Sequence, residues 1–129
     1  MIVEAFCLCD AATTENGKLN LLGAFDAIRV KQFPAVLAHC AVAVRLRFFT
    51  LEKGDHPIEV RFIDADGKNV LPPAGGNIKV DLVQGQRSAA FNLVLNVPAL
   101  KVESPGDYAL DLRVGGQGVI SLPIEIKQV

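Results

Sequence analysis

The sequence predicts an all-β chain, a single antiparallel β-sandwich domain of about eight strands over residues 1–129. Three observations lead there. Apolar and polar residues alternate with the period of two that puts successive strand side chains on opposite faces. Turn residues recur every 8 to 15 positions. No window of more than ten residues carries apolar residues at the three- and four-residue spacing of a helix.

The first segment, residues 2–9, is apolar on both faces, with Ile2, Phe6 and Leu8 on one and Val3, Ala5, Cys7 and Cys9 on the other. Asn16-Gly17 follows as a turn, since both residue types accept the positive φ of a tight hairpin. Residues 19–30 are again two-sided, with Leu19, Leu21 and Phe25 set against Leu22, Ala24 and Ile28, and Lys31 to Leu37 reads as a long loop.

The later segments each have one apolar face. From 40 to 48, Cys40, Val42, Val44, Leu46 and Phe48 alternate with Ala41, Ala43, Arg45 and Arg47. The pattern repeats in Ile58, Val60 and Phe62, in Ile78, Val80 and Leu82, and in Ala89, Phe91, Leu93, Leu95 and Val97. Two closing segments, Tyr108 to Val114 and Ile120 to Ile126, flank Gly115-Gly116-Gln117-Gly118 as a hairpin loop. Further turns are expected at Lys53-Gly54-Asp55, Asp64 to Lys68, Pro72 to Gly76 and Glu103 to Gly106. Purely antiparallel connections between strands of this length point to an immunoglobulin-like sandwich. Tyr108 is placed like a tyrosine-corner residue, whose hydroxyl bonds to upstream backbone. The penultimate strand has no cysteine and the chain has no Trp, so neither the antibody-type disulfide nor its tryptophan is expected.

Composition narrows the function classes. Hydrophobic residues make up 50% of the chain and charged residues 21%, enough for one core and too apolar for disorder. Thirteen basic and fourteen acidic residues leave a net charge of -1 with no run of one sign. Such a surface has no field to draw nucleic acid or an anionic membrane, and neither is expected as a partner. The N-terminal segment has no basic region and carries Glu4, so it reads as a strand and not as a secretion signal. The longest apolar stretch, Phe33 to Val44, holds Pro34 and His39 and is well short of the roughly 20 residues that span a bilayer. Three cysteines, an odd number, point to reduced thiols in the cytoplasm.

Few residues offer chemistry. Cys7 and Cys9 share a strand face and, with Cys40, present three thiols to a metal. Structural zinc wants a fourth ligand and usually a C-x2-C spacing, so buried inert thiols are the preferred reading and no cofactor is expected. Asp64-x-Asp66-Gly67 resembles part of a calcium loop, but the EF-hand pattern would put Phe62 at its first ligand position and Pro73 at its final glutamate. A turn accounts for all four residues. His39 and His56 are read as solvated surface histidines, and His39 points away from the adjacent Cys40, so no nucleophile and base converge. Arg45, Arg47, Glu59, Arg61, Lys79, Asp81, Asp111 and Arg113 fall on outward faces and are expected in cross-strand charge pairs.

A family resemblance rests on Asp10-Ala11-Ala12, Asn16-Gly17-Lys18-Leu19, Leu22-Gly23, Phe33-Pro34-Ala35, Asp64-Ala65-Asp66-Gly67 with Leu71-Pro72-Pro73, and Pro105-Gly106-Asp107-Tyr108. Together these resemble an uncharacterised bacterial β-sandwich family catalogued as a domain of unknown function. The resemblance implies a fold and a bacterial or phage-related cytoplasmic origin, and it carries over no catalytic or binding residue. The three cysteines depart from the pattern.

The expectation is a non-catalytic protein-interaction or structural module. A strand apolar on both faces has to be covered on both, by a second subunit or by a long loop. Self-association is therefore expected, with Leu19, Leu22, Ala24 and Ile28 as interface residues. The alternative is a small-ligand or metal-binding protein using the Cys7 and Cys9 region, and an enzyme comes third.

Overall fold

The computed structural model describes Met1 to Val129 as eleven strands and a single 3-10 turn, Thr50–Glu52, without an α-helix. The strands are β1 (Ile2–Glu15), β2 (Lys18–Phe25), β3 (Ala27–Val30), β4 (Ala35–Leu37), β5 (Cys40–Phe49), β6 (Gly54–Ile63), β7 (Ala74–Val80), β8 (Ser88–Val97), β9 (Leu100–Val102), β10 (Gly106–Val114) and β11 (Gln117–Gln128). They form a four-stranded sheet in the order β2-β1-β5-β8, a five-stranded sheet in the order β3-β11-β10-β6-β7, and a small β4-β9 pair. No helix is long and apolar enough to cross a membrane.

The predicted turns do what their residues dictate. Asn16 and Gly17 both take positive φ (52° and 73°) between the paired residues Glu15 and Lys18. Gly115 and Gly116 do the same (63° and 79°) between Val114 and Gln117. The Asp64 turn is closed by its own carboxylate, whose Oδ1 accepts the Asp66 and Lys68 amides at 2.9 Å each. That carboxylate caps backbone donors, as Asp does in such turns.

Two details differ from the sequence reading. The chain has eleven strands and not about eight, because residues 19–30 break at Asp26 into β2 and β3, and because β4 and β9 are too short to show alternation. The connections are also not purely antiparallel, since β3 runs parallel to β11, with Ile28 opposite Ile126. At Asp26 the chain crosses between the sheets, its carbonyl accepting the Glu125 amide at 2.8 Å.

The inward faces of the two large sheets meet in one core of twenty buried residues, including Leu8, Val44, Leu46 and Phe48 from one sheet and Val60, Leu110, Leu112 and Ile124 from the other. These are the one-face apolar sets of the alternation. No polar or charged residue is buried, and no buried polar side-chain atom lacks a partner. Tyr108 is the nearest approach to one: its ring lies 5.8 Å from that of Phe62, and its hydroxyl donates to the Ser104 carbonyl at 2.7 Å. This is the upstream backbone bond expected of a corner tyrosine.

Candidate functional site

The two-sided strands at the start of the chain have a local explanation. β1 pairs with β5 as far as Cys9, opposite Ala41, and residues beyond it continue with β2 alone. The hairpin then folds back over the outer face of its own sheet. Its tip carbonyl, Gly17 O, accepts from Asn92 Nδ2 at 3.0 Å and from Arg45 Nη1 at 3.3 Å, although Arg45 stands opposite Ala5 on β1. Beneath the hairpin lies a second small core of Cys9, Ala12, Ala41 and Ala43, with Cys7, Leu19 and Val94 packed around it. Alanines on the outward face of β5 leave room for a second layer of chain to approach, which bulkier side chains would prevent.

The bend is made near Gly23, which sits between the Cys9–Ala24 and Ala11–Leu22 pairs with φ +67°. A side chain there would run into the Asp10 carboxyl group, which lies over the glycine. Glycine alone supplies both the left-handed backbone and the space.

Next to the hairpin tip is a polar group that the sequence only half disclosed. A register shift between Val3 and Ala5 sets Glu4 beside Arg45 and Arg47, whose Nε atoms each donate to its carboxylate at 2.8 Å. Arg45 also reaches Asn92 and Arg47 reaches Ser88, both at 2.9 Å. The Arg47 hydrogen bond, joined by Arg45, holds the Glu4 carboxyl below the usual carboxylate range. Alternation could not find Glu4, because a bulge breaks the period that alternation relies on.

The expected interface residues separate. Leu22 is 73% exposed and Ala24 is also exposed, on a strand that ends its sheet. Leu19 is half-buried beneath the hairpin. Ile28 is only 6% exposed, because β3 has moved to the other sheet and turned this side chain into the main core, so it is not available at a surface.

Cys9 and Cys40 are fully buried and Cys7 is half-buried, all three unpaired. Cys40 belongs to the main core while Cys9 lies under the hairpin, so the three thiols do not form one site. No group of three or more His, Cys, Asp or Glu side chains is placed to hold a metal ion. Burial raises all three thiols, Cys9 to about 11. His39 is exposed, as read from the sequence. His56 is not a solvated histidine: it is half-buried, its ring 4.8 Å from that of Phe48 and its Nε2 2.5 Å from the Glu52 carbonyl oxygen. The tight Gly54 turn folds it back onto the end of β5.

An apolar opening lies between the sheets, at the end where β8 finishes. It is a cavity of about 370 Å³ with 13 hydrophobic residues among its 16 lining residues. Cys40 and Val42 lie on one wall, Val60 and Phe62 on the other, with Leu95 and Leu71 among the remaining lining residues. Sequence patterning gave no sign of it, since Cys40, Val42, Val60, Phe62 and Leu95 read as ordinary core and Pro72 and Ala74 as part of a turn.

The family model described as "Family of unknown function (DUF6941)" matches residues 4–127, nearly the whole chain. The chain belongs to this family. No curated protein matches it. Among solved structures, the Pseudomonas fluorescens alkylpurine DNA glycosylase AlkC, bound to DNA containing an abasic site analog, aligns over 79% of this chain at 12% identity and a TM-score of 0.44. The chain spans 28% of the length of that enzyme, a likeness too distant to bear on fold or activity.

Proposed function

We propose that this DUF6941 chain is a non-catalytic interaction module that associates with a second copy of itself through the β2 edge. The observation that carries the reading is Leu22, 73% exposed on a strand with no neighbour on its outer side. Between Leu19 and Phe25 that strand has no charged residue, and Leu21 on its other face is 36% exposed. Solvent-facing edges are ordinarily blunted by charge, proline or a covering loop, and this one is not. The two face-to-face sheets and the Tyr108 corner favour an immunoglobulin-like sandwich as the scaffold, a fold that often serves to present binding edges.

A catalytic role is disfavoured by the same geometry. Two of the three thiols are beyond the reach of a substrate, and the His56 ring is committed to Phe48 and the Glu52 carbonyl. Three unpaired thiols favour a reducing, cytoplasmic setting.

Light scattering coupled to gel filtration tests the proposal. The wild-type chain is expected to run as a dimer at tens of micromolar, and Leu22→Asp as a folded monomer. A solvent-facing substitution of this kind changes stability by about 0.5 kcal/mol or less, so loss of the dimer would report the interface. A wild-type chain that is monomeric at that concentration overturns the reading.

A further inference from the structure

The cavity at the end of β8 has its cause on β7. Ala74, Gly76, Ile78 and Val80 alternate onto one face of that strand; Ile78 and Val80 are buried in the core, but Ala74 and Gly76 are not part of it. A side chain added at Gly76 would meet nothing within 4 Å, and Ala74 lines the cavity of about 370 Å³.

Protein interiors pack closely, so a space of this size persists only where its walls are held apart. Cys40 and Val42 of β5, Val60 and Phe62 of β6, Leu100 of β9 and Leu110 of β10 form the inner wall, each 5% exposed or less and fixed by the core they belong to. The two outer segments are tied down as well. The one carrying Leu71 and Pro72 is joined to β6 by the Ile63–Asn69 bridge and by the Val70 amide, which donates to the Phe62 carbonyl at 2.8 Å. The one carrying Pro98 and Ala99 runs directly into β9, which is paired with β4. The exposed Pro72 and Pro98 stiffen both segments, since their rings fix φ. The cavity is thus formed before anything enters it, as small-molecule sites usually are.

Its lining selects the occupant. Thirteen of the sixteen lining residues are hydrophobic and the others are Pro72, Pro98 and Asn96, so no charged side chain is present and Asn96 is the one polar amide. Burial keeps the Cys40 thiol protonated, which adds no charge. Water in a cavity needs about two to four polar partners and is poorly held among these side chains. A charged group would lose its hydration with nothing to pair with it. An apolar cavity of about 150 Å³ takes up one benzene, so about 370 Å³ suits a molecule of about two rings.

We infer that this cavity binds a small uncharged apolar molecule, about two fused rings in size, between the two sheets. The site is separate from the β2 edge and does not depend on the dimer proposed there.

The probe is 2-naphthol, neutral at pH 7, titrated into the full chain and followed through the methyl resonances in carbon–proton correlation spectra. Val42, Val60, Leu71 and Leu95 are expected to shift along one saturable curve, with a dissociation constant of about 100 μM or tighter. The charged 2-naphthoate, with the same rings, should bind at least about tenfold more weakly. Ala74→Leu fills the cavity from within; it should keep the far-ultraviolet circular dichroism of wild type and weaken naphthol binding by about tenfold or more, the scale of a few methylenes in an apolar pocket. Ala99→Phe adds bulk at an exposed lining position and should weaken binding in the same direction. Leu22→Asp should bind naphthol as wild type does. Absence of a saturable shift, shifts confined to methyl groups away from the cavity, naphthoate binding as tight as that of naphthol, or wild-type affinity in a folded Ala74→Leu chain would each overturn the inference. If Ala74→Leu does not fold, wild-type affinity in Ala99→Phe overturns it instead.

Discussion

Replacing Gly23 by Ala tests whether the fold-back of the β1–β2 hairpin is built into the backbone. Gly23 holds φ +67°, where an L-residue costs roughly 1–2 kcal/mol relative to glycine. The new methyl group would also collide with the Asp10 carboxyl group. Asp10 is exposed and can swing away, at a rotamer cost of about 0.5–1.5 kcal/mol. The two contributions together predict a loss of about 1.5–3.5 kcal/mol, a large part of the roughly 5–15 kcal/mol that stabilises a typical domain. Urea unfolding followed by far-ultraviolet circular dichroism measures it, with an unchanged m-value as the check that one transition is compared. The Asp10→Ala background divides the two causes: the backbone part should persist, and about 0.5–1.5 kcal/mol of the loss should disappear as coupling. Cys9 should also become more reactive to alkylation in Gly23→Ala, because the hairpin that covers it is loosened. A Gly23→Ala protein within about 0.5 kcal/mol of wild type would refute the account of the bend. A loss that does not change with Asp10→Ala would leave only the backbone part standing.

Other perturbations read other parts of the fold. Tyr108→Phe removes the 2.7 Å bond to the Ser104 carbonyl and should cost about 1–1.5 kcal/mol in urea unfolding, leaving the ring packing on Phe62 intact. Iodoacetamide at pH 8, followed by mass spectrometry, should label Cys9 and Cys40 only as fast as the chain unfolds, since burial both shields these thiols and keeps them protonated; labelling at the rate of a free thiol contradicts the packing. Glu4 has a folded-state pKa below its unfolded value, so its contribution to stability is present above the unfolded pKa and is lost as pH falls through the folded one. The urea midpoints of wild type and Glu4→Gln should therefore differ at pH 7 and converge in acid, and a difference that persists in acid would show that the arginine contacts are not its source. Gly75→Ala should destabilise the chain, because its methyl group would press on the Ile58 carbonyl across the β6–β7 pair.

What the sequence disclosed and what it withheld divide along one physical line. Local chemistry was legible: Asn16-Gly17, Gly115-Gly116 and the Asp64 carboxylate each fix a turn through their own backbone preferences, and one-sided alternation named the inward faces of β5, β6, β8, β10 and β11. The Tyr108 corner was legible for the same reason, because a few neighbouring residues determine it. The relation between distant surfaces was not. Apolar residues on both faces of residues 2–9 and 19–30 required a cover, and pattern alone cannot distinguish a second subunit from the chain's own hairpin. The deciding residues, Ala41 and Ala43, look like neutral filler on the polar face of a strand; their small size matters only once Ala12 and Leu19 come to lie over them. The same holds for the β8 edge. Leu95 and Val97 read as core residues, and whether they are closed over depends on Ala74 and Gly76 on a strand of the other sheet, where small side chains leave space that pattern cannot show. The hairpin supplies a cover for Cys9, while Leu95 is half-buried against the main core and lines the cavity. Two edges of one sheet thus reach the surface in different states: β2 with Leu22 projecting as a knob, and β8 with its apolar side chains half-buried against the core and a cavity beside its end.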